Sequence, residues 1–412
     1  MTRGWAARID AATPEHRDRT VDALRAAAIV GVVLGHWLVT ALVSDPAQPA
    51  AIHSESPLTH FGWLAPVSWF FETLGPFFFA GGYAAARSLS GRDPLRWLTS
   101  RATRLLPPVL VLVAVWTAGY LLLMAAQAPG STLHTVWSVI GHPLWFLAVY
   151  LVLTALTPLL RPLVVRYGLW IALVPLAVVV ASDLLRGNGL PTALSLVDVL
   201  AGWLVPYLAG IAAAEGRLSG RRAGAALLAA GTATATLLVT VAGYPASAVG
   251  VPGDGWSNLD PPSLFAVSLA AAQVGLYLLL RPNLATLLRR PALWAPIAGL
   301  NLIAMSVYCW HQSALLLATF AAMLSGRVPG LLDAPTGTWI AYRIALLPAL
   351  ATLLAALVAF GRCAGLMWPL AARPEPACTD PVHAEPGRTT SDHISLGSLS
   401  SPQAGVSHRQ TP

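Results

Sequence analysis

The sequence predicts an all-α polytopic membrane protein of about ten transmembrane helices, with both termini cytoplasmic. Three observations predict it: an apolar composition, apolar runs of span length that recur along the chain, and arginines gathered in alternate loops. Of 412 residues, 56% are hydrophobic and only 10% charged, against roughly a quarter charged in a soluble domain. The formal net charge of +7 requires no nucleic-acid partner, because cytoplasmic loops of membrane proteins collect basic residues in any case.

A hydrocarbon core of about 30 Å is crossed by roughly 20 apolar residues in a helix. Runs of that kind lie near 22–43, 66–86, 105–126, 142–160, 168–185, 196–214, 223–243, 264–280, 301–324 and 339–361. The polar segment 1–21 carries Arg3, Arg8, Arg17 and Arg19 without a cleavable signal, so the first run is expected to be a retained helix. The stretch Pro291-Ala-Leu-Trp-Ala-Pro-Ile-Ala-Gly299 holds two prolines and is expected as a short re-entrant or interfacial piece, separate from the ninth span. Pro107 and Pro108 are expected at the start of the third helix, where proline is tolerated. The tail 362–412 is rich in Pro, Ser, Gly and Thr and lacks apolar periodicity, so it is expected to be a disordered cytoplasmic segment. The domain plan is therefore a cytoplasmic segment 1–21, a membrane domain 22–361 and that tail.

Arginine placement tests the plan. One set of alternate loops holds Arg87, Arg92, Arg96, Arg101 and Arg104, then Arg161 and Arg166, then Arg217, Arg221 and Arg222, then Arg281, Arg289 and Arg290; the opposite set holds Arg186 and Arg327. Positive-inside bias puts the first set in the cytoplasm and makes the helix count even. The long outer loops 44–65 and 244–263 are either solvated connectors or covers for a site. Cys309, Cys363 and Cys378 have no metal-site or disulfide spacing, and the last two fall on the reducing side. The His and acidic residues show no metal-ligand spacing either.

Arg25 and His36 lie on an otherwise apolar first helix. Eleven residues at about 100° each make about three turns, so both project from one face, roughly 16 Å apart along the axis. Ionisable groups inside a bilayer are expensive and point to function by default. The alternative for His36 is a hydrogen bond across a helix interface.

At four places the chain resembles the acyltransferase-3 family of integral membrane acyltransferases. Asp22-Ala-Leu-Arg25 with His36 is similar to that family's Arg-ten-residues-His signature. Gly75-Pro-Phe-Phe-Phe-Ala-Gly-Gly-Tyr83 resembles its aromatic, glycine-ended second helix, and Arg101-Ala-Thr-Arg104-Leu-Leu-Pro107 its basic third-helix start. Pro143-Leu-Trp-Phe-Leu147 and Ser306-Val-Tyr308-Cys-Trp-His311 are similar to its Trp-Phe-Leu and Tyr-x-x-His helices. Ala304 and Glu72 depart from the pattern.

The resemblance implies a stand-alone enzyme, without an appended extracytoplasmic hydrolase-like domain. Its expected reaction is transfer of an acyl group, often acetyl, from cytoplasmic acyl-CoA to a hydroxyl of a sugar, a lipid-linked glycan or a secreted metabolite. Acyl-CoA would be a co-substrate and no cofactor would be needed. A separate extracytoplasmic acceptor or transfer protein is a further expected partner, and the cell (plasma) membrane the expected location. His36 would be catalytic, as general base or as a carrier of the acyl group. Arg25, Arg101 and Arg104 would bind CoA phosphates, which guanidinium groups match in bidentate fashion. Asp22 would orient Arg25, and Tyr308 and His311 would position substrate through a shared hydrogen-bond network. Trp145 and Phe146 would line the acyl channel. Glu72 and Arg343, both intramembrane ions nearer the outer side, are expected to pair. The competing class is a transporter or flippase for a lipid-linked sugar or small metabolite, whose better sign would be paired inverted segments with broken helices.

Overall fold

The computed structural model describes residues 2–186, 192–253, 255–326 and 328–364. In order it contains α1 (Thr2–Ala11), α2 (Arg19–Val39), the strands β1 (Ala41–Ser44) and β2 (Ile52–Glu55), and the short α3 (Pro57–His60) and α4 (Ser68–Phe71). Then follow α5 (Leu74–Leu89), α6 (Pro94–Ala125), α7 (Gly130–Gly141), α8 (Leu144–Tyr167), α9 (Leu173–Leu185) and α10 (Thr192–Ala214). The last four are α11 (Gly220–Thr240), α12 (Leu264–Leu287), α13 (Pro291–Ser325) and α14 (Trp339–Cys363). The expected tail 362–412 lies outside the described residues beyond Ala364.

Among the described residues, eight helical stretches are long and apolar enough to cross a membrane. One of them, Gly130–Leu185, is jointed and contains α7, α8 and α9, so it holds the expected fourth and fifth spans together. The chain is a helical multi-pass membrane protein. Its lipid-facing side shows in leucines such as Leu110, Leu121 and Leu122 on α6, which stand exposed where a soluble protein would carry charge.

The second expected span, 66–86, is not one helix. It is a 3-10 turn over Gly62–Val67, then α4, a break at Glu72 and Thr73, and α5. Pro76 is the third residue of α5, and a proline without N–H costs no hydrogen bond in a first turn but loses one in a helix interior. The chain therefore restarts its helix just before Pro76. The carbonyls of Trp69 and Glu72 accept from Gln273 Nε2 of α12 at 2.9 and 2.6 Å, and the Glu72 carboxylate accepts from Leu74 N at 3.1 Å. Broken backbone in hydrocarbon is tolerated because other side chains satisfy it.

Two other expectations are corrected at prolines. α13 runs unbroken from Pro291 to Ser325, so the 291–299 piece is the first part of the ninth span and not a separate segment. Pro291 caps its start at no cost in hydrogen bonds, and a long helix packed on neighbours carries the one bond lost at Pro296. α6 begins at Pro94, capped by the Asp93 carboxylate on Arg96 N, so Pro107 and Pro108 lie in its interior.

α5 crosses α10 with backbones touching. A Cβ on Gly82 would stand 2.1 Å from Tyr207 O, and one on Gly210 would stand 2.0 Å from Phe79 O. Small residues permit such close crossings in membranes. Beyond the C-terminal end of α2, β1 and β2 pair antiparallel. The described residues of the 244–263 loop are tied to neighbouring elements by several hydrogen bonds, among them these. Arg186 Nη2 donates to Pro261 O at 2.8 Å, Tyr244 hydroxyl donates to Asp183 at 2.9 Å, and Ala248 N donates to Ser68 Oγ of α4 at 2.8 Å.

Candidate active site

α2 and α13 pack along one another, and polar side chains of the two helices meet inside the bundle. At the arginine-rich end, Arg25 Nε donates to Asn301 Oδ1 of α13 at 2.6 Å, and its Nη2 lies 3.2 Å from Asp22 Oδ1. Asn301 Nδ2 in turn donates to Asp22 O at 2.8 Å. Asp22 also pairs with Arg17. Arg25 is thus held on two sides, by the residue one turn before it and by an amide from the neighbouring helix.

Arg101, on α6, donates to Ala84 O at 3.1 Å and Ser88 Oγ at 2.5 Å, and its guanidinium lies 4.9 Å from the Trp97 ring centre. Arg104 is exposed and makes no hydrogen bond or ion pair among the described residues. The three arginines are therefore unequal: two are fixed by the fold and one is free at the surface.

Asp18 caps α2 from outside the span. Its Oδ1 accepts from Thr20 Oγ1 at 2.6 Å and Thr20 N at 3.0 Å, and its Oδ2 from Arg281 Nη2 at 2.7 Å and the Tyr83 hydroxyl at 3.0 Å. Burial alone would raise this carboxyl; the Thr20 hydrogen bond, the Arg281 charge and the Tyr83 hydroxyl outweigh it and hold the carboxyl below its ordinary value. One carboxylate thereby ties α2, α5 and α12 together.

Eleven residues along each helix stand the second pair. His36 Nδ1 is 3.2 Å from the Gln312 side-chain amide. The His311 ring faces His36 with centroids 5.0 Å apart, tilted by 56°. The two imidazoles differ in access. His311 is 0% exposed, and its Nδ1 donates to Tyr308 O at 2.6 Å, which leaves Nε2 as an unpartnered acceptor. Trp37 Nε1 seals the same turn by donating to His311 O at 2.9 Å. His36 is half-buried and lines a cavity of about 440 Å³. Its Nε2 makes no hydrogen bond to any described residue and is not sealed in.

Glu72, Trp145, Phe146, Tyr308 and Gln312 line that cavity with His36, as do Ser56 and Asp260 from the two long loops. Trp145 and Phe146, expected to line a channel, thus stand in the same space as His36. Phe146 packs edge-on to Phe77 at 4.9 Å between ring centres. The expected hydrogen-bond network between Tyr308 and His311 runs instead through the backbone: the Tyr308 hydroxyl donates to Pro143 O, and its carbonyl is what accepts from His311.

The expected Glu72–Arg343 pair does not form. Arg343, 0% exposed, donates from Nη2 to Thr40 O at 3.0 Å and lies 4.6 Å from the Trp339 ring centre. Glu72 is turned to Leu74 N and to the cavity by the break in the second span, and it has no cationic partner among the described residues. Among those residues no group of three or more His, Cys, Asp or Glu side chains stands together as a metal site would require.

Asn301 and Gln312 were not among the sequence candidates. Their signal is present: two amides in an apolar helix, eleven residues apart, as Arg25 and His36 are.

A site of this form, an accessible imidazole deep in a membrane bundle with a fixed guanidinium on the same helix face, accords with what the whole chain resembles. A family model described as "Acyltransferase domain", of the acyltransferase-3 type, matches residues 18–367. No curated protein and no solved structure matches the chain. The family match spans nearly the whole sequence and every residue of the site, and the chain is a membrane acyltransferase of the acyltransferase-3 family.

Proposed function

We propose that the protein moves a short acyl group, acetyl or of similar size, from cytoplasmic acyl-CoA to a hydroxyl of a sugar, a lipid-linked glycan or a secreted metabolite, acting in the plasma membrane. The observation that carries the reading is the pairing, on one face of α2, of fixed Arg25 with cavity-lining His36. Their separation of roughly 16 Å suits a pantetheine arm. Positive-inside bias makes the arginine-rich end cytoplasmic, so Arg25 and Arg101 meet the CoA phosphates there, with Arg104 at the rim. At the other end the cavity is lined by Ser54 and Glu55 of the hairpin and by Asp260 of the 244–263 loop, and a mouth on that side admits the acceptor from outside. A separate extracytoplasmic protein that takes the acyl group would dock at that mouth.

In the reaction His36 accepts the proton of the acceptor hydroxyl while its oxygen bonds to the thioester carbonyl carbon. The carbon–sulfur bond breaks, the thiolate leaves, and the proton passes from His36 to sulfur. Tyr308, Trp145 and Phe146 shape the space in which the two substrates meet.

The test is mass spectrometry of cell-envelope glycans, lipids and secreted metabolites from a deletion strain complemented with wild type or with His36→Ala at matched membrane abundance. The expected result is one species that loses an acyl mass on deletion, regains it with wild type and lacks it with the variant. Redistribution of an unmodified species on deletion would instead mark a transporter and overturn the reading.

A further inference from the structure

The parallel contacts of α2 and α13 assign a role to Gln312. We propose that Gln312 is a positioning residue that accepts a hydrogen bond from His36 Nδ1–H and so makes Nε2 the reacting nitrogen. The inference rests on the reading of His36 as the base.

Imidazole carries one proton when neutral, and the nitrogen that holds it is set by what the other ring nitrogen's partner demands. The Nδ1 of His36 is engaged by Gln312, and Nε2 is the nitrogen left to the cavity. A carboxamide can meet Nδ1 with either end, because its oxygen and NH₂ occupy equivalent volumes. With NH₂ toward the ring, Nδ1 is an acceptor, the proton sits on Nε2, and Nε2 has no lone pair to receive a proton from substrate. With Oε1 toward the ring, Nδ1 keeps its proton and Nε2 is a base. Protonation at Nε2 then leaves two N–H donors on the ring, of which Nδ1–H is already satisfied by Oε1.

Two considerations select the oxygen. The reading of His36 as the base requires a lone pair on Nε2 and hence a proton on Nδ1, and Gln312, only 3% exposed, is the side chain at hydrogen-bond distance from that nitrogen. The equivalent contact one stage along the same two helices is made by an amide oxygen: Asn301 Oδ1 accepts from Arg25. Gln312 is the side chain that touches the inner nitrogen of His36.

The test is nitrogen-15 NMR of the protein labelled at histidine, in bilayers near neutral pH, with the His36 signals identified as those missing from His36→Gln. The expected wild-type spectrum has His36 protonated at Nδ1 and bare at Nε2. In Gln312→Leu, which keeps the volume and removes the acceptor, the Nε2–H form should appear. Turnover of acetyl-CoA with cell-envelope extract as acceptor source should fall roughly 10- to 100-fold in kcat, as for loss of an orienting hydrogen bond to a charged group, with KM for acetyl-CoA unchanged. Gln312→Glu, which restores an acceptor oxygen, should recover the Nδ1–H form and most of the turnover. A wild-type His36 protonated at Nε2, or a spectrum unmoved by Gln312→Leu, would overturn the proposal. The spectra decide this whether or not the extract contains the acceptor, and failure of the acyl-transfer reading is seen separately in the envelope mass spectra of the deletion strain.

Discussion

Gln312 meets His36 at a sequence offset of 276, the same offset at which Asn301 meets Arg25. α2 and α13 therefore run parallel and in register over three turns, with one amide of α13 opposite each of Arg25 and His36. The two ends of the site are linked by a rigid pair of helices and not by loops. Precise placement of reacting groups is best served by such elements.

The unequal access of the two histidines predicts unequal losses. His36→Ala should lower acyl transfer by roughly 100- to 10,000-fold, the range of a general base. His311→Asn should cost less activity and more stability, since that ring is sealed in the helix interface. Initial rates and thermal melting of the two purified variants check this; equal loss of activity at equal stability would contradict it.

Arg25 should act through its fixed position as well as its charge. Arg25→Ala is expected to raise KM for acyl-CoA. Asn301→Leu, which leaves the charge but removes its partner, should raise it as well, by roughly 10- to 100-fold if the full worth of a charged hydrogen bond is lost. Arg104→Ala, at an exposed group without a partner, should change it little. A titration of acyl-CoA against each variant orders the three.

Asp18 sets an acid limit on stability. Its carboxyl lies below its ordinary value in the folded protein, so the stabilisation is fully present above the ordinary carboxylate range and is lost as pH falls through the depressed folded value. The melting temperature in detergent should therefore fall on acidification below about pH 4. Asp18→Asn should melt lower at neutral pH and lose part of that dependence, which a pH series of melting curves would show.

The crossing of α5 and α10 leaves no room for a side chain. Gly82→Leu should displace the helices and cost about 1–3 kcal/mol or more, seen as loss of the monodisperse peak in detergent. Gly119→Leu on α6, where an added Cβ would meet only Trp116 at an ordinary 3.6 Å, is the matched control and should behave as wild type.

The helical membrane fold was legible because hydropathy and arginine placement report on the bilayer, which acts on every span alike. The Arg25–His36 face was legible because both residues sit on one helix, where spacing alone fixes direction. What spacing cannot give is the partner on another helix. Asn301 and Gln312 carry little signal individually, and their meaning comes from the register of α13 against α2. Glu72 and Arg343 were matched by depth and opposite charge, but the break before Pro76 turns the first away and the Thr40 carbonyl at the C-terminal end of α2 claims the second. The continuity of α13 through Pro296 likewise depends on packing that no local rule contains.

The broken second span also bears on how the chain is made. The carbonyls of Trp69 and Glu72 are satisfied by Gln273, 204 and 201 residues later. At about 5–20 residues per second, synthesis reaches that glutamine roughly 10–40 s after the break has left the ribosome. For that interval the two carbonyls lack the partner they have in the finished protein, so the break reaches its final form only after α12 has been made.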